Sequence, residues 1–138
     1  CDIRIAAEDA PIGSPEARVS SSATGGSFRL LHDLIGPAKA RELLFTAENI
    51  DGIMAEKIGL VNKAVPSDQL MDATRIMAAK IAENSPFSIK VLKQGLNKAA
   101  GGESMKTLMD FEVEACLACV SSKERQTALS DFESRKKE

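Results

Sequence analysis

Apolar and polar residues alternate through Cys1–Ala7 (Cys-Asp-Ile-Arg-Ile-Ala-Ala), the period of a short strand. Glu8-Asp9-Ala10-Pro11 turns the chain, and Pro11–Pro15 reads as a second short extended piece limited by its prolines. Glu16–Gly26, rich in serine and glycine, reads as a loop. The period then changes. Phe28, Leu31, Leu34 and Ile35 recur at helical spacing until Gly36-Pro37 interrupts them, and Pro37 suits the first turn of a helix over Ala38–Thr46 with Ala40, Leu43 and Leu44 inward. Asp51 is placed to cap a short helix running to Ile58, with Gly59 closing it. Leu60–Val65 reads as a third strand, stopped at Pro66.

Beyond Pro66 the pattern is almost entirely helical. Ser67 or Asp68 caps a helix bearing Leu70, Ala73, Met77 and Ile81, and Ser85-Pro86 opens another with Ile89, Leu92 and Leu96. Gly101-Gly102 breaks that helix. Ser104 starts the next, with Leu108, Met109, Val113, Cys116 and Val120, and Ser121-Ser122-Lys123-Glu124 is a capping box for a last helix from Lys123 to about Arg135. These stripes are read as core or subunit-contact faces. Three short strands make a poor sheet alone, which suggests that a partner half is absent. The opening on Cys1 rather than Met gives the same expectation of a chain cut from the middle of a domain.

Composition narrows the function classes. A net charge of −2 leaves no electrostatic footprint for nucleic acid, and five Phe with no Trp or Tyr offer few stacking platforms for bases. No apolar run approaches the roughly 20 residues of a membrane helix, and Cys1-Asp2-Ile3-Arg4 does not resemble a signal peptide. No partnership with nucleic acid or membrane is therefore expected. Cys116 and Cys119 form a C-x-x-C, but it falls in mid-helix, and the spare soft ligands for zinc are only Cys1 and His32. The pair is read as packing residues, with no metal site, and reduced cysteines suit a cytoplasmic setting.

Glu16 is the candidate for chemistry. It follows two prolines and a glycine and precedes the Ser/Gly loop. A carboxylate at the end of a stiff strand, beside a pocket-forming loop, can act as a general acid or base. That role calls for partial desolvation and a pKa raised toward neutrality. His32, the one histidine, stands beside Asp33 in a helix and is read as a helix-surface residue, because neighbours in one helix do not face each other as a Ser-His-Asp set requires.

The ordered motifs resemble the crotonase superfamily, the enoyl-CoA hydratase/isomerase family. Gly13-Ser14-Pro15-Glu16 is similar to its G-x-P-E. Gly25-Gly26, Leu31 and Gly36 stand where the family has a glycine-rich loop and helix. Leu44-Phe45-Thr46, Ile50, Ala55 and Gly59-Leu60-Val61-Asn62-Lys63-Ala64-Val65-Pro66 resemble L-T-G…A…G-L-V-N-x-V-V-P. Asn84-Ser85-Pro86, Lys93 and Asn97 match the next helix, and Phe132…Arg135-Lys136 resembles the terminal F-x-E-K-R. Ser20, Ala23 and Thr24 replace the usual Gly, Pro and Gly of the loop, Leu30 a frequent arginine, and Ala47 the glycine after Thr46.

The resemblance implies an α/β fold: the C-terminal part of a crotonase-like (ClpP/crotonase) spiral with a helical tail, mostly helical in this chain. Residues 1–66 would form part of the core and residues 67–138 a helical oligomerisation segment. It implies an acyl-CoA substrate, with CoA entering as part of the thioester and no separate cofactor, and a homo-oligomer, trimer or hexamer. Glu16 matches the second of two hydratase glutamates and the single glutamate of several isomerases. Phe132 and Arg135 match residues that hold the CoA adenine and phosphates, although Arg135-Lys136-Lys137 also reads as a solvated basic helix end. The first hydratase glutamate and both oxyanion-hole segments would precede Cys1, so the 138 residues alone are expected not to hydrate crotonyl-CoA. A non-catalytic assembly module is the alternative from another class.

Overall fold

The computed structural model describes residues 1–122 together with Arg125, Thr127 and Leu129. They fall into two compact units, 1–77 and 78–138, the second beginning within a helix. Two strands, β1 (Ile5–Ala7) and β2 (Lys63–Val65), pair in parallel with Ile5 opposite Lys63 and Ala7 opposite Val65. Parallel strands need a long crossover, and here it carries α1 (Ser27–Thr46) and α2 (Gly52–Lys57). Asn62 extends the pairing: its amide donates to the Arg4 carbonyl at 2.8 Å, and its Oδ1 accepts from the Arg4 amide at 2.8 Å. The Arg4 Nε reaches the Leu60 carbonyl at 2.6 Å. The asparagine of the G-L-V-N stretch thus clasps two chain segments 58 residues apart.

The expected extended piece over Pro11–Pro15 reduces to a single antiparallel bridge, Ile12 with Ile50. The prolines on either side cannot donate to a ladder. The interruption at Gly36-Pro37 is a kink inside α1: Gly36 takes φ 75°, ψ 164°, because the Pro37 ring would otherwise press on the preceding turn. Asp51 caps α2 as expected, accepting from the Met54 amide at 2.7 Å, and Gly59 follows α2 with φ +80°.

The core of the first unit is built of small side chains. Ala7, Ala40, Leu43, Ala47, Ala55, Val61 and Val65 are buried, and small residues let backbones approach closely. A Cβ on Gly52 would collide with the Ala7 carbonyl, so α2 begins pressed against β1. Ala47, standing where the family pattern has glycine, takes the left-handed conformation (φ 53°) and donates to the Leu43 carbonyl at 3.1 Å. The residue is 1% exposed, and that burial offsets part of the left-handed cost.

A short 3-10 turn, Ser67–Gln69, leads into α3 (Leu70–Ala82), whose half-buried positions include Leu70, Ala73, Met77 and Ile81, the expected stripe. In the second unit α4 (Pro86–Ala100) and α5 (Met105–Val120) start at Ser85 and Ser104, whose hydroxyls accept from the Ser88 and Thr107 amides at 3.3 and 3.2 Å. The facing residues match the expected ones only in part: Ile89 and Leu108 are half-buried as expected. Val91 and Gly95 meet Leu108, Phe111 and Ala115, while Leu92, Leu96, Met109 and Val113 are each more than half exposed. Gly95 decides this: a Cβ there would stand 3.2 Å from Phe111 Cε1, so the phenyl ring fills the space a side chain would take. The Ser122 hydroxyl accepts from the Arg125 amide at 3.2 Å, while the expected helix from Lys123 to Arg135 lies largely outside the described residues, as do Phe132 and Arg135.

Candidate active site

Ser14-Pro15-Glu16 does not run into an open loop. Proline, with its φ already set, starts a 3-10 turn over Pro15–Val19, and Ser20 ends it in the left-handed conformation (φ 55°). Glu16 therefore sits in the first turn of a short helix rather than at a strand end. Gly13 fixes where that turn begins. A Cβ at Gly13 would overlap Asn49 Oδ1 and stand 3.1 Å from the Glu48 carbonyl, so the segment before Glu16 lies directly against the chain leaving α1.

The 3-10 turn and α1 enclose a cleft of about 320 Å³. Ala23, Phe28, Ala40, Leu44 and Phe45 give it apolar walls, and Glu16, His32 and Arg41 supply its ionisable groups. Glu16 remains partly open to solvent. The Ser14 hydroxyl donates to Glu16 Oε2 at 2.5 Å. This bond, joined by Glu16's own backbone amide, holds the carboxyl below its ordinary range, and the slight loss of solvent opposes them weakly. The pKa raised by desolvation that the sequence suggested is not what the chain shows. Solvent reaches the carboxylate, and a donor stabilises its charge.

His32 lies on the exposed side of α1, as expected, with Nδ1 3.3 Å from Asp33 Oδ1. What the sequence did not disclose is that it lines the Glu16 cleft together with Arg41, whose guanidinium donates to the Pro37 carbonyl at 3.2 Å. Arg29 pairs with Asp33 and is the main cause of that carboxyl's lowered pKa. Ser14 was also missed, although Ser-Pro-Glu is a helix-start pattern that could have drawn notice to it. Cys116 and Cys119 are free thiols in the last turns of α5, not in mid-helix as the sequence suggested, and no metal-holding group of three or more His, Cys, Asp or Glu occurs among the described residues. Among those residues no helix is long and apolar enough to cross a membrane.

A small parallel sheet crossed over by helices, presenting one carboxylate to an apolar cleft, is an arrangement suited to proton transfer on an apolar substrate. The sequence matches the enoyl-CoA hydratase/isomerase family over residues 1–138, and the chain belongs to that family. It is 36% identical over 137 residues to the short-chain-enoyl-CoA hydratase of Clostridium acetobutylicum, covering 99% of this chain and 52% of that protein. It is 35% identical over 132 residues to the short-chain-enoyl-CoA hydratase of Clostridioides difficile, covering 96% of this chain and 84% of that protein. The crystal structure of an enoyl-CoA hydratase from Bacillus anthracis superposes with a TM-score of 0.92 at 30% identity, over 98% of this chain and 52% of the other. The chain thus spans about half the length of the C. acetobutylicum and B. anthracis proteins, and its fold is the corresponding part of a crotonase-type α/β fold, mostly helical.

Proposed function

We propose that the chain serves an enzyme acting on 2-enoyl-CoA thioesters, with Glu16 moving a proton during hydration. The supporting observation is the Glu16 carboxyl at an apolar cleft, its charged form favoured by the Ser14 hydroxyl, in a chain whose relatives include short-chain-enoyl-CoA hydratases. In the hydration direction, a carboxylate takes a proton from water as the hydroxyl adds to Cβ. The electron pair moves onto the thioester oxygen, and as the carbonyl re-forms Cα takes a proton from a general acid, completing the addition of water across the double bond. Stabilising that oxygen calls for backbone donors of oxyanion-hole type, a task this reading assigns to residues outside the 138. No cofactor is needed beyond the CoA that the substrate carries. Phe132 and Arg135 are proposed to contact the CoA adenine and phosphates. The setting proposed is cytoplasmic fatty-acyl metabolism.

Isomerisation is the alternative chemistry, with Glu16 alone taking a proton from Cα of a 3-enoyl thioester and returning it to Cγ as the double bond shifts. A non-catalytic assembly role is a further reading, favoured by the open apolar faces of α4 and α5. The full-length protein should hydrate crotonyl-CoA and turn over 3-enoyl-CoA more slowly. Faster turnover of 3-enoyl-CoA would favour the isomerase, and turnover of neither substrate would favour assembly alone.

A further inference from the structure

Serine at a helix N-cap ordinarily accepts a hydrogen bond from an amide of the first turn. Ser14 occupies the N-cap of the Pro15–Val19 turn and makes no such bond. Its hydroxyl is committed to the Glu16 carboxylate instead, in a partly buried contact of 2.5 Å. The intervening residue is proline, whose ring fixes φ, so the link between the two side chains has one fewer soft rotation than any other residue would give. Gly13, pressed against Glu48 and Asn49, anchors the other side of Ser14. Ser14 itself lines the cleft beside Glu16. A carboxylate has about four lone-pair sites, so one bond from Ser14 leaves capacity to take a proton.

We propose that Ser14 is the positioning residue of this site, its hydroxyl clamping the Glu16 carboxylate in one orientation at the cleft as a proton acceptor. The proposal rests on the reading of Glu16 as the proton-moving group. A hydroxyl-to-carboxylate bond is charge-assisted and favours the ionised form, in keeping with the depressed carboxyl. The family-type motif G-x-P-E leaves the second position unspecified, so the motif itself does not call for serine there. The other charged or titratable groups around Glu16 are Arg18 on its own turn and His32 and Arg41 from α1. A Ser14 substitution changes none of them, so a change in Glu16 titration reports on the hydroxyl alone.

The test compares Ser14→Ala, Ser14→Thr and Glu16→Gln. In the 138-residue chain, carbon-detected NMR titration of the Glu16 carboxyl should move upward in pH with Ser14→Ala and return toward the original with Ser14→Thr, which restores a hydroxyl donor. In the full-length protein the acid limb of the kcat/KM profile for crotonyl-CoA should shift upward with Ser14→Ala. At the plateau kcat should fall roughly tenfold with KM little changed, the mark of lost orientation rather than lost binding. An unmoved Glu16 titration and acid limb in Ser14→Ala would overturn the positioning role. Near-normal turnover by Glu16→Gln would instead defeat the catalytic reading, whatever the Ser14 variants do to the titration.

Discussion

Glu16 sits in a position fixed by its neighbours in sequence: Gly13 packed against the Glu48-Asn49 backbone, Ser14 bonded to its carboxylate, and Pro15 starting the turn. Gly13→Ala places a methyl group in overlap with Asn49 Oδ1, so that side chain must swing away, and 3.1–3.2 Å from the Glu48-Asn49 backbone, so the segment must also shift by a few tenths of an ångström. A full ångström of misplacement costs about 100-fold in rate; kcat of Gly13→Ala is therefore expected to fall roughly tenfold, measured as crotonyl-CoA hydration alongside a melting curve showing the protein still folded. Glu16 and Asp33 also carry a pH dependence. Both carboxyls are depressed, Glu16 chiefly by Ser14 and Asp33 chiefly by Arg29. The stability they contribute is present above the unfolded carboxylate range and is lost as pH falls through their folded values. Arg29→Ala should therefore flatten the acid side of a Tm-against-pH curve, and an unchanged curve would show that the exposed pair contributes nothing.

The elements were legible where residues with restricted chemistry mark their ends. Asp51, Ser85 and Ser104 all cap as their positions suggested, and Pro37 kinks α1 beside Gly36. Asp51→Ala removes one cap bond and is expected to cost about 1 kcal/mol. Gly52→Ala, whose methyl would strike the Ala7 carbonyl, is expected to cost about 1–3 kcal/mol as overpacking. Urea melts of the two variants should keep that order, and a Gly52→Ala protein as stable as the parent would mean β1 and α2 are less closely apposed. Which faces of α4 and α5 meet was legible only in part, at Ile89 and Leu108. Hydrophobic periodicity marks Leu92, Leu96, Met109 and Val113 as apolar, but the contact is decided by Gly95, which has no side chain to register in such a pattern. The cleft was only half legible for a similar reason. Glu16 belongs to a recognisable motif, whereas His32 and Arg41 reach the cleft through the packing of α1, and the Ser14 bond depends on rotamers that sequence does not specify.

At the scale of the whole molecule, the first unit has a buried core, while in the second no described residue is fully buried. Leu92, Leu96, Val113 and Leu117 are 61–71% exposed, more apolar surface than helices ordinarily leave open to water. A trimer or hexamer, as the family resemblance implies, would cover such faces. Leu96→Glu and Leu117→Glu together should then reduce the sedimentation coefficient of the full-length protein, and an unchanged assembly would place the subunit contacts elsewhere. Catalysis and assembly are separable on this account, because Glu16 and its cleft lie wholly within the first unit.

The central claim is that Glu16 transfers a proton in the reaction of an enoyl-CoA thioester. Its most direct test is the steady-state rate of crotonyl-CoA hydration by the full-length protein with Glu16→Gln, which removes the charge and keeps the shape. The expected result is a fall in kcat of about 10²–10⁴-fold, the range for a lost general acid or base, with KM little changed and the fold intact by circular dichroism. A Glu16→Gln enzyme turning over within a few fold of the parent would contradict the claim.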